Sequence, residues 1–218
     1  MGPKNEITEL RQETIKTAQE LDSSGLSIGA AGNVSFRTKD GFIITPTGVE
    51  AAKLSIQQLV HLDYDGSILN GNLLPSSEWQ MHSQIYQARS DIDAIVHCHS
   101  RYATALACCQ HDIPAFHYMI AVAGGNSIRC APYSLFGTEQ LGKAAVVAMD
   151  ERNACLLANH GQLTGAKSIS EALKLAMEVE GLSAAYHACL AFDDVHILSE
   201  GDMHSVLKKF KYYGQQTN

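Results

Sequence analysis

Residues 33–45, NVSFRTKDGFIIT, read as two short strands and the turn that joins them. Asn33 to Arg37 and Phe42 to Thr45 have strand character, and Thr38-Lys39-Asp40-Gly41 between them carries an Asp-Gly step. Asp-Gly is a strong hairpin signal because a tight two-strand turn needs backbone conformations that glycine reaches without steric cost. A second Asp-Gly, Asp65-Gly66, separates another pair of short alternating runs. Hairpins make neighbouring strands antiparallel, so the fold is to be sought among sheets built largely that way.

Working outward, residues 6–22 place apolar side chains at Ile7, Leu10, Ile15, Ala18 and Leu21, a helical stripe that stops near Ser24-Gly25. Pro75-Ser76-Ser77-Glu78 opens a second helix running to about Ala88, with serine as its cap and an acid in its first turn. Ala94 to His99 reads as a strand and is followed by a helical run to about Cys109. Two strand-like pieces bracket Gly124-Gly125, and Thr138 to Met149 reads as a helix. Ala154 to Ala158 is an apolar strand entering Asn159-His160-Gly161, with Leu163-Thr164 as its hairpin partner. Glu171 to Ala191 and Asp202 to Tyr212 complete the helices. There is no internal repeat, low-complexity stretch or Pro/Gly-rich linker, so residues 1–218 are expected to form one domain. Strands outnumber simple βα pairings, which predicts an α/β fold with a mixed or mainly antiparallel sheet and helices packed on it.

Composition narrows the function. The formal net charge is −7, and no Lys/Arg-rich block offers a nucleic-acid surface. Lys208-Lys209-Phe210-Lys211 falls at the end of a helical pattern, where positive charge complements the helix dipole. The N-terminal MGPKNEITEL has no apolar signal core and Glu6 stands where a myristoylation signal needs Ser or Thr, so a cytoplasmic, membrane-free protein is expected. The six cysteines form no CxxC pair and mostly sit in apolar runs, which predicts buried reduced thiols.

Chemistry concentrates at strand ends. In IVHCHS, residues 95–100, His97 and His99 share one face of a strand while Cys98 points to the other. Two neutral imidazoles about 7 Å apart along a strand can converge on one ion. The alternative is a surface strand with two wet histidines, but the apolar Ala94-Ile95-Val96 argues for a buried strand, where unpaired polar groups are costly. His160 also closes an apolar strand, and Gly161 is expected to free the backbone to turn there; taken singly it reads as an ordinary turn histidine. Three histidines leave a position for an oxygen ligand or substrate, the pattern of a catalytic zinc. Glu78, four residues before His82, projects from the same side of its helix, or is simply a first-turn acid. Ser76 and Ser77 at that helix start read as a phosphate cradle or as an N-cap with a neighbour. The small-residue turns 29–33 and 45–48 have room for an anion, although neither has the spacing of a Walker or dinucleotide loop. The other histidines, His82 among them, carry no ligand role in this reading.

Taken together, GAAGNVSFR, ITPTG, PSSEWQMH, VHCHS, IPAFHYMIAVAGGNSIRCAPY, ANHG and FKYYG resemble the class II aldolase family, which includes L-fuculose-phosphate aldolase and L-ribulose-phosphate 4-epimerase. The motifs keep the family's order from residue 29 to 214, and HYMIAVAGGNSI followed by CAPY is similar to the fuculose-phosphate aldolase branch. The resemblance implies a three-layer α/β/α domain with a mainly antiparallel central sheet, assembled as a homotetramer with active sites at subunit interfaces. It implies one Zn2+ per subunit on His97, His99 and His160, with Glu78 as catalytic acid/base and as the residue that caps the empty metal site. It assigns Asn33, Thr47, Gly48, Ser76 and Ser77 to the phosphate of the substrate. Tyr118 matches a tyrosine that reaches a neighbouring subunit's site, and Tyr213 matches a C-terminal tyrosine that helps close it. Asn159 occupies a position that varies in the family and carries no expectation.

The implied reaction is reversible cleavage of a ketose 1-phosphate to dihydroxyacetone phosphate and an aldehyde. The substrate would be L-fuculose 1-phosphate or a 5-deoxy or 5-methylthio relative. No lysine stands in a Schiff-base motif, so a Lewis-acidic metal is the expected electron sink. Glu78 would protonate C3, and Tyr118 would handle the C4 hydroxyl proton. A 4-epimerase is disfavoured because that branch carries aspartate in place of Glu78, and a methylthioribulose-1-phosphate dehydratase because of HYMIA. A non-catalytic, adducin-head-like assembly module is the reading from another class; it expects lost ligands, whereas the three histidines and Glu78 are all present.

Overall fold

A computed structural model describes residues 3–28, 31–192 and 194–210 of the chain. Its helices are α1 (Pro3–Ser23), α2 (Trp79–Ala88), α3 (Arg101–Cys108), α4 (Glu139–Ala148), α5 (Ile169–Cys189) and α6 (Glu200–Phe210). Its strands are β1 (Asn33–Arg37), β2 (Phe42–Ile44), β3 (Val60–Leu62), β4 (Ile68–Asn70), β5 (Ala94–Cys98), β6 (Ile113–Pro114), β7 (Ser127–Ala131), β8 (Ala154–Leu157) and β9 (Gly161–Ala166). Among the described residues they form one sheet in the order β4-β3-β2-β1-β5-β9-β8-β7-β6. Every neighbouring pair is antiparallel except β7 and β8. Both Asp-Gly hairpins form, β1–β2 and β3–β4, and so does the β8–β9 pairing.

Alternation sorts each strand between two helical layers. Ile95 on β5, Phe42 and Ile44 on β2, Cys155 and Leu157 on β8 and Leu163 on β9 pack with Met81 and Ile85 of α2 and Leu141 and Ala145 of α4. On the opposite face, Ala94, Val96 and Cys98 of β5 join Val34 and Phe36 of β1 against Leu21 of α1 and Ala172 and Ala176 of α5. Farther along that face, Ala154 and Leu156 of β8 meet α3, α5 and Met203 of α6. The result is helix, sheet, helix in three layers, with IVHCHS at the centre: β5 is fifth in a row of nine.

Local details depart from the sequence reading. The buried stripe of α1 includes Thr14 and Thr17 as well as Leu21, while Ile7 is exposed. Thr14 is tolerated there because its hydroxyl donates to the Leu10 carbonyl at 2.8 Å. The segment before Gly124 is not a strand but a 3-10 turn, Tyr118–Ala123, whose apolar side chains Ile120, Ala121 and Ala123 face the core. Residues 118–123 are apolar almost throughout, and such a run does not distinguish a buried strand from a buried turn. Glu78 stands one residue before α2 instead of inside its first turn. Of the cysteines, Cys98 and Cys155 are buried, burial pushing the Cys98 thiol up to about 12, but Cys108 and Cys109 are exposed at the end of α3. No described helix is long and apolar enough to cross a membrane.

Candidate metal centre and active-site cavity

Strand register assembles the centre. β1 pairs with β5 so that Asn33 lies opposite His97, on the same face of the sheet. β5 ends at Cys98, and His99 follows as the chain leaves for α3. His160 sits in the tight turn between β8 and β9, where its backbone N–H donates to the Leu157 carbonyl. The residue in the left-handed conformation at this turn is Asn159, with φ 55°, not Gly161. Gly161 serves another need: a Cβ there would lie 2.5 Å from the Cys98 carbonyl oxygen and 2.8 Å from Cδ2 of His99. Gly32 has a positive φ of 89°, and its Cβ would meet the His97 carbonyl oxygen at 2.8 Å. Small residues thus let three backbones close around the histidines.

The ring atoms of His97, His99 and His160 that can ligate lie within 4.8 Å of one another. The rings face each other edge-on with centroids 4.7–4.9 Å apart. His97 Nε2 is 3.0 Å from His99 Nε2, near the roughly 3.3 Å between two nitrogens of a tetrahedral zinc at about 2.05 Å each. Glu78 completes the ring, Oε2 at 3.1 Å from His97 Nε2 and Oε1 at 3.2 Å from His160 Nε2.

The hydrogen-bond arrangement tests whether a cation fits. His97 Nδ1 lies 2.8 Å from the Gln162 carbonyl, which accepts only, so Nδ1 carries a proton. A neutral His97 would therefore turn the lone pair of Nε2 toward the Glu78 carboxylate and the His99 nitrogen. That is repulsive unless His97 is an imidazolium or a cation lies among these atoms. Glu78 Oε1 is buried and makes no hydrogen bond, as expected of an oxygen turned toward an ion site. Three imidazoles beside a buried carboxylate are a donor set for a divalent transition metal, and the residues present fit it.

The charges are strongly coupled. Burial and then the charge of His97 pull His99 down to about 4, and burial and His97 do the same to His160. Both are therefore neutral near pH 7, with lone pairs to offer. Burial alone would lower His97, but the Glu78 carboxylate at its side raises it. Burial alone would raise Glu78, but His97, His160 and the Asn33 amide hold it well below the usual carboxylate range.

These groups line a cavity of about 320 Å³. Asn33, Thr47, Ser76, Ser77, Glu78, His99 and His160 all contribute to its wall. The loops holding Thr47 and Ser76 are stitched together: Thr47 N–H donates to Leu74 O and Ser76 N–H to Thr45 O. His97 is fully buried behind His99. Gly48 is not part of the wall, and Tyr118 is half-exposed on its 3-10 turn, in ring contact with His117 and Phe210. Tyr213 lies outside the described residues. Asn159, Tyr133, Ser134 and Phe136 also line the cavity, though no site role was expected of them; Tyr133 ends the CAPY segment, the signal that pointed nearest to this wall.

A mainly antiparallel sheet between two helical layers, with three convergent histidines that could hold a metal ion and a carboxylate beside them, defines an α/β protein of one known kind. The chain belongs to the family described as Class II Aldolase and Adducin N-terminal domain, which it matches over residues 12–187. It is similar to the 5-methylthioribulose-1-phosphate/5-deoxyribulose-1-phosphate aldolase of Rhodospirillum rubrum, 45% identical over 205 residues, 94% of this chain and 92% of that protein. It is equally similar to the L-fuculose phosphate aldolase of Escherichia coli, 45% identical over 210 residues, 96% of this chain and 97% of that one. A solved L-fuculose 1-phosphate aldolase superposes with a TM-score of 0.90 at 41% identity, covering 93% of this chain and 96% of its own.

Proposed function

We propose that this protein is a metal-dependent aldolase that reversibly cleaves a ketose 1-phosphate to dihydroxyacetone phosphate and an aldehyde. L-Fuculose 1-phosphate and the 5-deoxy and 5-methylthio ketose 1-phosphates are the candidate substrates, by likeness to the relatives named above. The observation that carries the reading is a buried carboxylate, Glu78, within 3.2 Å of two of three clustered imidazoles on the wall of one cavity. We take the metal to be Zn2+, one per subunit, because neutral imidazoles with a carboxylate suit it. We take the working unit to be a single-domain chain in a cytoplasmic homotetramer.

His97, His99 and His160 would hold the cation, which when bound supplies positive charge where negative charge develops on the cleaved ketose. Asn33, Thr47, Ser76 and Ser77 would bind the phosphate through amides, hydroxyls and the start of α2, with Gly48, left-handed at φ 68°, shaping the turn beside Thr47 and no arginine among them. That seat fixes C3 of the substrate beside Glu78, which carries a proton to and from C3. Tyr118 of a neighbouring subunit would exchange the C4 hydroxyl proton, and Tyr213 would help to close the site.

The test is to incubate the purified protein with a panel of ketose 1-phosphates and their unphosphorylated sugars and to measure release of the aldehyde, which both would give, together with dihydroxyacetone phosphate from the former. Cleavage confined to the phosphorylated compounds is expected, and stripping the metal should abolish it. No release from any member of the panel would overturn the proposal.

A further inference from the structure

Behind Glu78 runs a line of buried polar side chains of which the proposed chemistry uses only the first, Asn33. Asn33 Nδ2 donates to Glu78 Oε2 at 3.0 Å. Asn33 Oδ1 is in hydrogen-bond contact with Nε2 of His82. His82 Nδ1 lies 2.6 Å from Ser35 Oγ, and that oxygen lies 2.7 Å from the Tyr86 hydroxyl. His82 and Ser35 are fully buried and Tyr86 is 1% exposed. The line is laced between one strand and one helix. Asn33 and Ser35 are alternate residues on one face of β1, and His82 and Tyr86 are a turn apart on α2.

Its proton direction follows from what each group can do. An ionised carboxylate only accepts, so Asn33 must offer Nδ2 to Glu78, which leaves Oδ1 for His82. An amide oxygen also only accepts, so His82 must carry its proton on Nε2. Burial pulls His82 down to about 3, so it is neutral and its Nδ1 is bare. Ser35 then donates its hydroxyl to Nδ1 and accepts from Tyr86. The reverse sense would set the Asn33 oxygen against the carboxylate, so only one direction satisfies every member.

We propose that His82 is a positioning residue of the metal centre. By donating from Nε2 it fixes the Asn33 amide in the orientation that holds Glu78 against His97 and His160. His82 does not line the cavity, and among the residues of the proposed phosphate seat its contact is with Asn33. This inference rests on the metal site proposed above, but the direction of the chain can be read without any metal.

Two measurements on the full-length protein test it. The first is the ¹⁵N spectrum of His82 in the metal-free protein: an Nε2–H tautomer is expected, and an Nδ1–H tautomer or an imidazolium at pH 7 would overturn the proposal. The second compares two amides in the same buried place, with zinc affinity read by chelator competition. In His82→Gln the amide nitrogen reaches the position of Nε2 and keeps the link to Asn33. In His82→Asn it reaches only the position of Nδ1, and the link is lost. His82→Asn should weaken zinc binding by about 10- to 100-fold, the usual cost of losing an outer-shell partner, while His82→Gln stays near the parent. Equal affinities in the two variants would overturn the positioning role even if the tautomer is as expected. If neither variant folds, the tautomer decides. A parent protein that binds no zinc would sink the metal assignment and the role of His82 with it, yet leave the tautomer as a separate result.

Discussion

A carboxylate that is 6% exposed and lies beside two imidazoles can serve as a ligand, as a proton carrier, or as each in turn. Glu78→Gln separates these roles, because it keeps the shape and the Asn33 neighbour but cannot take up a proton. The variant should still bind its metal on three histidines, more weakly than the parent. Exchange of the C3 proton of dihydroxyacetone phosphate with deuterated water should slow by about 10²- to 10⁴-fold, the usual contribution of a general base. Unchanged exchange would remove Glu78 from proton transfer. The histidines also set a pH dependence for the metal-stripped protein. His82 is held at about 3 and His99 and His160 at about 4, against 6.5 for an unperturbed imidazole. Between those values the unfolded chain binds more protons than the folded one, so stability is lost as pH falls from about 6.5 toward 4. Glu78, depressed in the fold, adds to the loss below its own unfolded value. His97, which is raised, acts in the opposite sense, losing its contribution as pH climbs through its folded value. Three groups outweigh one, and thermal unfolding from pH 7 to 4 should show a falling midpoint; a flat profile would contradict the burial of these imidazoles as neutral groups.

At the scale of elements, the centre depends on a turn and a helix cap at the end of β5. The turn Asn159-His160-Gly161 closes on Cys98 and His99 with no space for a methyl group. Gly161→Ala should therefore move His99 away from His97 and His160. A protein that still folds but holds its metal at least tenfold more weakly is expected, by analogy with displaced outer-shell partners, and calorimetric titration with zinc measures it. The second support comes from α5. Glu180 accepts from the backbone N–H groups of Tyr102 and Ala103 at 2.9 Å each, so a side chain from another helix caps α3 immediately after His99. Ser100, at the N-cap position, makes no side-chain cap bond of its own. Glu180→Ala removes this cap and should cost about 0.5–2 kcal/mol, read from urea unfolding, with some loss of metal affinity as the His99 segment loosens. No loss of stability would show that the cap does not matter. The hairpins at Asp40-Gly41 and Asp65-Gly66 were legible in the chain because turn chemistry is local. The trans cap was not, because Glu180 and Tyr102 are 78 residues apart.

For the molecule as a whole, Tyr118 raises the question of assembly. In one chain it is 51% exposed and lines no part of the cavity that holds Glu78, and the catalytic part proposed for it lies in a neighbouring subunit's site. Tyr118→Phe should leave fold and metal content intact and reduce aldol cleavage far more than C3 proton exchange. Mixed oligomers of Tyr118→Phe and Glu78→Gln subunits should regain activity, since some interfaces pair an intact Glu78 with an intact Tyr118. Verified mixed oligomers without such recovery would argue against a shared site. The sequence by itself determined the hairpins, the helices, the antiparallel character of the sheet and the three histidines at strand ends, since each of these is written in neighbouring residues: turn dipeptides, alternation, apolar runs. Only the tertiary structure decided that Asn33 stands opposite His97, that Asn159 and not Gly161 takes the left-handed turn, and that His82, which has no signal of its own, orients the Asn33 amide. Those outcomes depend on strand register and on the packing of α2 over β1, and register is set by every buried side chain on a face together, so no local stretch of the chain contains it.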